Sequence, residues 1–424
     1  MNKLETFGFV ISILISLYLV REVRELKNAT LQRGEERPTE DKKPENVTDE
    51  TENGGLTRLQ GFRVGHEQKV DIGNGRTLTL ITRALRPLTF EIPNFLNDDE
   101  IEYMVNKAKQ QNLITSEAKS GLDKKFVYVK NEGRKRAQPY WDNFQFWDVN
   151  NDGIIDIEEL TSGMPRVIVF VTPDEEEVTN VFTEIFPVEL EDGVITEDEW
   201  ATMDTVHIED KVNYWFAEDP RFMARHSEQT WLGWEREGIL ADLRQRVVKL
   251  TKLPKKIVYG GESIQVAHYY PKGHYHAHFD SETHLRSDLP CCHQIKAEVD
   301  GSGKCIICRL ITIMTYMNDV EEGGETAFVY ADNKTYTATV VSEKCNLSLR
   351  CKDANLVMKP KKGTAVFWYN HYVDNESNYL GERDGLSLHG GCDVIKGEKW
   401  ISNIWLTAPY KNHKHLPSIY ATEF

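Results

Sequence analysis

Between His274 and Glu282 the chain reads HYHAHFDSE, and four side chains of metal-ligand type alternate along it: His274, His276, His278 and Asp280. Successive side chains of a β-strand point to opposite faces, so a regular strand would bring all four to one face. An iron site that activates oxygen needs less than that. It takes two histidines and one carboxylate on one face of the metal and leaves three positions open. The H-x-D pair His278-Phe279-Asp280 supplies two such ligands, and a later strand must supply the third. His371 and His389 are the candidates. His389 lies in SLHGGC, and ten residues on comes Lys399 in GEKWISNIW. A lysine there would meet a metal-bound dicarboxylate as a point charge. His371 lacks such a setting and is expected to be a loop histidine.

A second constellation is built for a hard cation. DVNNDGIIDIEE, Asp148 to Glu159, carries oxygen side chains at loop positions one, three, five, nine and twelve: Asp148, Asn150, Asp152, Asp156 and Glu159. Gly153 stands where the loop must turn sharply, and Ile154 offers its backbone carbonyl. Calcium takes six to eight oxygens in this pattern, that of an EF-hand loop. VELEDGVITEDE, residues 188–199, keeps Gly193 and Glu199 but has Val188 and Leu190 at positions one and three. It reads as a degenerate partner loop.

The rest of the chain must position these sites. Its 424 residues allow two or three domains, and a net charge of −16 speaks against nucleic acid, which wants a basic face. Residues 7–20, FGFVISILISLYLV, carry no charge. They are short for a span but lack a small-residue cleavage pattern, so an uncleaved signal anchor over 7–22 is expected after a tail at 1–6. Residues 23–55 are too polar to bury a core and read as a stalk. All seven cysteines fall between Cys291 and Cys392. The Cys291, Cys292, Cys305, Cys308 spacing fits a zinc site poorly, and disulfides in an oxidising compartment suit it better. Five sequons, at Asn28, Asn46, Asn333, Asn346 and Asn375, agree with a lumenal body.

Helix signals recur upstream of the histidines. Asn97-Asp-Asp-Glu100 is a capping box, with Ile101, Met104, Val105 and Ala108 on one face. Thr172-Pro173-Asp174-Glu175 opens a second helix, with Pro173 expected at its first position, and residues 236–252 form a third. From Ile257 onward, short β-branched and aromatic runs separated by Gly, Asn and Asp have the pattern of an all-β barrel or jelly roll. Tyr316 and Trp368 lie within such runs, and Trp368 is expected to be core.

Four blocks, YYPKGHYHAHFD, YMNDVEEGGETAF, KPKKGTAVFWYN and SLHGGCDVIKGEKWISNIW, resemble in sequence and order the prolyl 4-hydroxylase branch of the 2-oxoglutarate and iron(II) dioxygenases. Within it they are most similar to the enzymes that join a short N-terminal anchor and an EF-hand segment to this catalytic domain. The resemblance implies an α+β chain. Its core would be a double-stranded β-helix (jelly-roll) over 56–135 and 206–410, with supporting helices, an inserted α-helical EF-hand domain at 136–205 and a tail at 411–424. It implies iron(II) on His278, Asp280 and His389, and 2-oxoglutarate at Lys399, Tyr270 and Tyr316. It also implies ascorbate to restore oxidised iron, and a proline-containing protein or peptide as substrate, the α subunit of hypoxia-inducible factor among the options. The expected setting is a single-pass protein of the endoplasmic reticulum membrane with a lumenal catalytic domain. A collagen-type or other secretory-pathway prolyl or lysyl hydroxylase, or a catalytically silent calcium-dependent binding protein, are the competing readings.

Overall fold

The computed structural model describes residues 55–411, except 74, 119–142, 168–169, 188–189, 204–211, 213, 217–218, 283–290, 293–305 and 334–343. The expected anchor at 7–22 and most of the stalk lie outside the described residues. No helix among the described residues is long and apolar enough to cross a membrane.

The larger of two compact units holds the described residues within 55–116 and 227–411. It is built on a 13-stranded sheet. Its central strand, Arg309–Tyr316, is buried at every position. That explains why RLITIMTY reads as a continuous apolar run interrupted only by threonines and one arginine. Antiparallel neighbours flank it: Ala365–Tyr369 on one side and Lys399–Thr407 on the other. Ile264–Tyr269 pairs beyond Lys399–Thr407. His389–Gly391 lies between His274–His278 and Thr326–Phe328.

Strand alternation divides this unit's core in two. Ile311, Ile313, Phe367 and Ile404 point to a layer shared with the helices Asp98–Gln110 and Ile239–Thr251. Met314, Tyr316, Trp368 and Ile401 point the other way, into a second cluster with Tyr269 and Phe328. The first helix begins at the expected capping box, where the Asn97 side chain accepts from Glu100 N–H at 2.9 Å and the Glu100 carboxylate accepts from Asn97 N–H at 3.0 Å. The helices therefore close one face and leave the other to line a site.

Glu117–His226 forms the other compact unit among the described residues, wider than the expected 136–205. Its core gathers Trp147, Ile155, Leu160, Val178, Phe182, Ile195 and Trp200. The helix Glu175–Ile185 is capped by Asp174, so Pro173 precedes the cap and is not the first helical residue.

The four-thiolate zinc reading fails because two of its thiols, Cys291 and Cys308, are bonded to each other. Among the described residues, Cys291 is bonded to Cys308 and Cys351 to Cys392, and Cys345 is a buried thiol outside any disulfide. Burial pushes that thiol up to about 12, so it is inert at neutral pH.

Candidate metal and co-substrate site

The strand His274–His278 is not regular. His278 pairs with His389, while Tyr275 pairs with Gly391, so three steps on one strand oppose two on the other. This bulge turns His278 to the side of Tyr275. The two rings stack at 3.6 Å between centroids. His274 and His276 are fully buried on the opposite side, and His276 Nδ1 accepts from the Leu347 N–H at 3.2 Å. The face shared by four ligand types in a regular strand is thus split.

Across the pairing, His389 Nε2 lies 3.6 Å from Asp280 Oδ2, and His278 Nε2 lies 3.6 Å from Asp280 Oδ1. One donor atom from each of the three residues lies within 4.8 Å of the others. Gly390 permits this approach. A Cβ there would sit 2.4 Å from the Tyr275 carbonyl oxygen and 2.6 Å from Leu347 Cδ1. Each imidazole is oriented from behind: His278 Nδ1 is 2.9 Å from the His276 carbonyl and His389 Nδ1 is 2.8 Å from the Ser387 carbonyl. A carbonyl only accepts, so both Nδ1 atoms carry the proton and both Nε2 lone pairs face the gap. Burial pushes His389 down to about 4, against the opposing pull of Asp280, which keeps the ring neutral and able to ligate.

Burial raises the affinity of the Asp280 carboxyl for its proton, but His389, His278 and Arg309 outweigh it, and the pKa ends well below the ordinary value. Asp280 Oδ2 accepts from Thr312 Oγ1 at 2.7 Å and from Trp405 Nε1 at 3.0 Å. Arg309 approaches Oδ1 at 4.0 Å while its own guanidinium is held by Glu262 at 2.6 Å and 2.8 Å.

Lys399 is buried at the start of the strand Lys399–Thr407. Its Nζ is 5.3 Å from the Tyr269 ring centre and 5.7 Å from that of Tyr316. A Cβ on Gly391 would lie 3.4 Å from this Nζ. Gly391 and His389 are two apart on one strand, so the ammonium stands just along from the three-residue cluster. Burial pulls the lysine down to about 7, with Glu325 opposing through space. An uncompensated buried cation is costly, and an incoming carboxylate would offset that cost. Tyr316 donates its hydroxyl proton among Thr326 Oγ1 at 2.8 Å and the Met358 carbonyl at 3.1 Å.

Tyr270 is a correction. It lies beyond the end of Ile264–Tyr269, is 50% exposed, and packs edge-on to His268 beside Glu228. The tyrosine facing Lys399 is its neighbour, Tyr269. His371 is a second correction: it is fully buried in the strand His371–Val373, with Nε2 2.7 Å from Ser281 Oγ and Nδ1 2.9 Å from the Gly381 carbonyl. Asn346 is a third. It is 6% exposed and caps a short helix by accepting from Leu349 N–H, a buried placement that does not suit a glycan acceptor. Asn375 is exposed and Asn333 partly so, while Asn28 and Asn46 lie outside the described residues.

In the smaller unit the Asp148–Glu159 loop is folded around its carboxylates. Asp148, Asp152 and Glu159 bring oxygens within 4.8 Å of one another. Asp148 accepts from Asp152 and Gly153 N–H, each at 3.1 Å, and Glu159 accepts from Val149 N–H at 2.8 Å. Gly153 has φ +88°, a conformation that a β-carbon would strain. Ile154–Asp156 pairs antiparallel with Val194–Thr196, joining the two loops. In the second loop Glu199 caps a helix with Thr196, and Leu190 is buried.

Residues 264–407 match the 2OG-Fe(II) oxygenase superfamily, and this span contains His278, Asp280, His389 and Lys399. The transmembrane prolyl 4-hydroxylase of Mus musculus is 35% identical over 367 residues, covering 83% of this chain and 70% of that protein. That of Homo sapiens is 34% identical over 370 residues, with the same coverage. A solved viral collagen prolyl hydroxylase from Paramecium Bursaria Chlorella virus-1 is 26% identical, covers 43% of this chain and 80% of its own, and has a TM-score of 0.27. The protein is thus a 2-oxoglutarate-dependent dioxygenase that uses iron(II). The chain belongs to the transmembrane prolyl 4-hydroxylase family, and its reaction is the hydroxylation of proline.

Proposed function

We propose that His278, Asp280 and His389 hold the iron, that Lys399 receives the distal carboxylate of 2-oxoglutarate, and that a proline-bearing polypeptide of the secretory pathway is the substrate. The donor set fits the metal: two imidazoles and one carboxylate, with His278 the most exposed of the three at 22%. Iron bound there would supply the oxidative chemistry that splits 2-oxoglutarate into succinate and CO₂ while C4 of proline gains one oxygen.

The chain's own contribution is orientation. The backbone carbonyls of His276 and Ser387 fix the imidazoles. Thr312 and Trp405 hold Asp280. Lys399, with Tyr269 and Tyr316 beside it, draws the co-substrate's distal carboxylate to a point beside Gly391, two residues along from His389. The observation that carries this reading is the pairing of an open His-Asp-His cluster with a buried lysine that forms no ion pair among the described residues and feels only Glu325 through space. Ascorbate would keep the iron reduced between cycles. The Asp148–Glu159 loop would bind calcium as an EF-hand through Asp148, Asn150, Asp152, the Ile154 carbonyl, Asp156 and Glu159.

The two disulfides among the described residues of the catalytic unit favour an oxidising lumen, and with it the endoplasmic reticulum, over the cytosol. The test is peptide-stimulated succinate release by the full chain, comparing collagen-like peptides with peptides from the α subunit of hypoxia-inducible factor. Greater turnover of the collagen-like peptide is expected, and turnover of the other alone would overturn the substrate assignment. Lys399→Ala is expected to raise the 2-oxoglutarate KM with iron affinity unchanged.

A further inference from the structure

Behind the iron-ligand cluster runs a buried chain of hydrogen bonds that uses none of the ligands' own backbone. Trp368 Nε1 lies 2.9 Å from Asn370 Oδ1. Asn370 Nδ2 lies 2.9 Å from Thr312 Oγ1. Thr312 Oγ1 lies 2.7 Å from Asp280 Oδ2. Trp368, Asn370 and Thr312 are all essentially inaccessible to solvent, at 1%, 0% and 0%.

The chemistry of the donors gives this chain one direction. An indole N–H only donates, so the atom it meets on Asn370 is the carbonyl oxygen. The amide is thereby fixed, and its NH₂ must face Thr312. The Thr312 oxygen then accepts from Asn370, so its single proton points to Asp280. A carboxylate oxygen receiving that bond as well as the Trp405 N–H at 3.0 Å has its lone pairs engaged. Oδ1, 3.6 Å from His278 Nε2, is the oxygen left to ligate.

The same residues reach the second histidine. The Trp368 ring packs against His389 at 4.6 Å, nearly edge to face. The Asn370 backbone carbonyl accepts from Asp384 N–H at 2.8 Å, and the Asp384 backbone carbonyl in turn accepts from Ser387 N–H at 2.9 Å. Ser387 is the residue whose carbonyl fixes the His389 tautomer.

We propose that Asn370, acting with Trp368 and Thr312, is a positioning residue that makes Asp280 a one-oxygen ligand and ties its orientation to that of His389. The proposal rests on the iron assignment above. Its function is to preserve open coordination positions, because a carboxylate free to turn could bind through both oxygens and occupy one of them.

The test uses Co(II), a spectroscopic stand-in for iron(II), titrated into the full-length protein in the absence of 2-oxoglutarate. Thr312→Val is expected to weaken Co(II) binding about 10- to 100-fold, the usual cost of losing such a partner, and to change the visible spectrum of bound Co(II). Thr312→Ser keeps the hydroxyl and is expected to restore both. Asn370→Ala should weaken binding by itself but add little to Thr312→Val, since the relay is already cut. Wild-type affinity and spectrum in Thr312→Val would overturn the proposal, as would fully multiplicative losses in the double variant. If Thr312→Val does not fold, Asn370→Ala against Thr312→Ser decides by the same two readouts. His278→Ala separates the premise from the proposal: undiminished Co(II) binding there would mean that the iron assignment itself has failed.

Discussion

Tyr275 and His278 are three residues apart, yet their rings stack at 3.6 Å with 14° between planes. In a regular strand they would point to opposite faces. The bulge between His278 and Tyr275 aligns them, and in doing so separates His278 from His274 and His276. Removing the stacking partner should therefore loosen the ligand. Tyr275→Ala is expected to weaken Co(II) affinity roughly tenfold, while Tyr275→Phe, which keeps the ring, should leave it near wild type. Isothermal titration of both variants measures this, and equal affinities would show that stacking has no part in orienting His278.

If Lys399 receives the 2-oxoglutarate carboxylate as proposed, co-substrate binding should depend on pH. Burial lowers its pKa from 10.5 to about 7, so the ammonium form prevails below that value and is lost above it. The co-substrate's carboxylate favours the charged form. Above about pH 7, binding should therefore take up one proton, and the 2-oxoglutarate dissociation constant should rise by roughly tenfold per pH unit until the bound-state pKa is reached. Titrations between pH 6 and 9, repeated in buffers of different ionisation enthalpy, report the slope and the proton. A flat profile would place the carboxylate elsewhere.

Calcium should stabilise the smaller unit. With the ion at about 100 times its dissociation constant, linkage predicts about 2.7 kcal/mol of added stability. Glu159→Gln removes charge from the group that gathers the Val149 and Asn150 N–H bonds, and should abolish the gain. Hydrogen exchange in Glu117–His226 with and without calcium resolves this unit from the rest. Identical protection in both states would exclude a calcium site there.

The Cys351–Cys392 bond ties the turn at Cys351–Asp353 to the chain just beyond the His389 strand. Replacing both cysteines with alanine should cost about 2–4 kcal/mol by chemical denaturation. It should also raise exchange at the Leu347 N–H, which donates to His276.

The clustering of His278, Asp280 and His389 was legible because each sits in a short block with chemistry of its own, H-x-D for two and SLHGGC for the third. The bulge was not, since no residue type in HYHAHFDSE marks where register slips. Tyr269 and Tyr270 are adjacent, and only the end of the strand decides which one faces Lys399. Thr312, Asn370 and Trp405 were invisible for another reason. They lie in apolar runs that read as barrel core, and they are core; their polar atoms acquire a role only when distant strands pair. Asn346 shows the reverse case, a motif complete in sequence whose side chain the fold uses as a helix cap.

The central claim is that the His278, Asp280 and His389 cluster directs oxygen to proline. Mass spectrometry of a proline peptide, incubated with full-length protein, iron(II), 2-oxoglutarate, ascorbate and ¹⁸O₂, tests it most directly. The account predicts one labelled oxygen on the proline ring at C4 and its loss in His278→Ala. An unmodified wild-type peptide, label on another residue, or label retained in His278→Ala would contradict it.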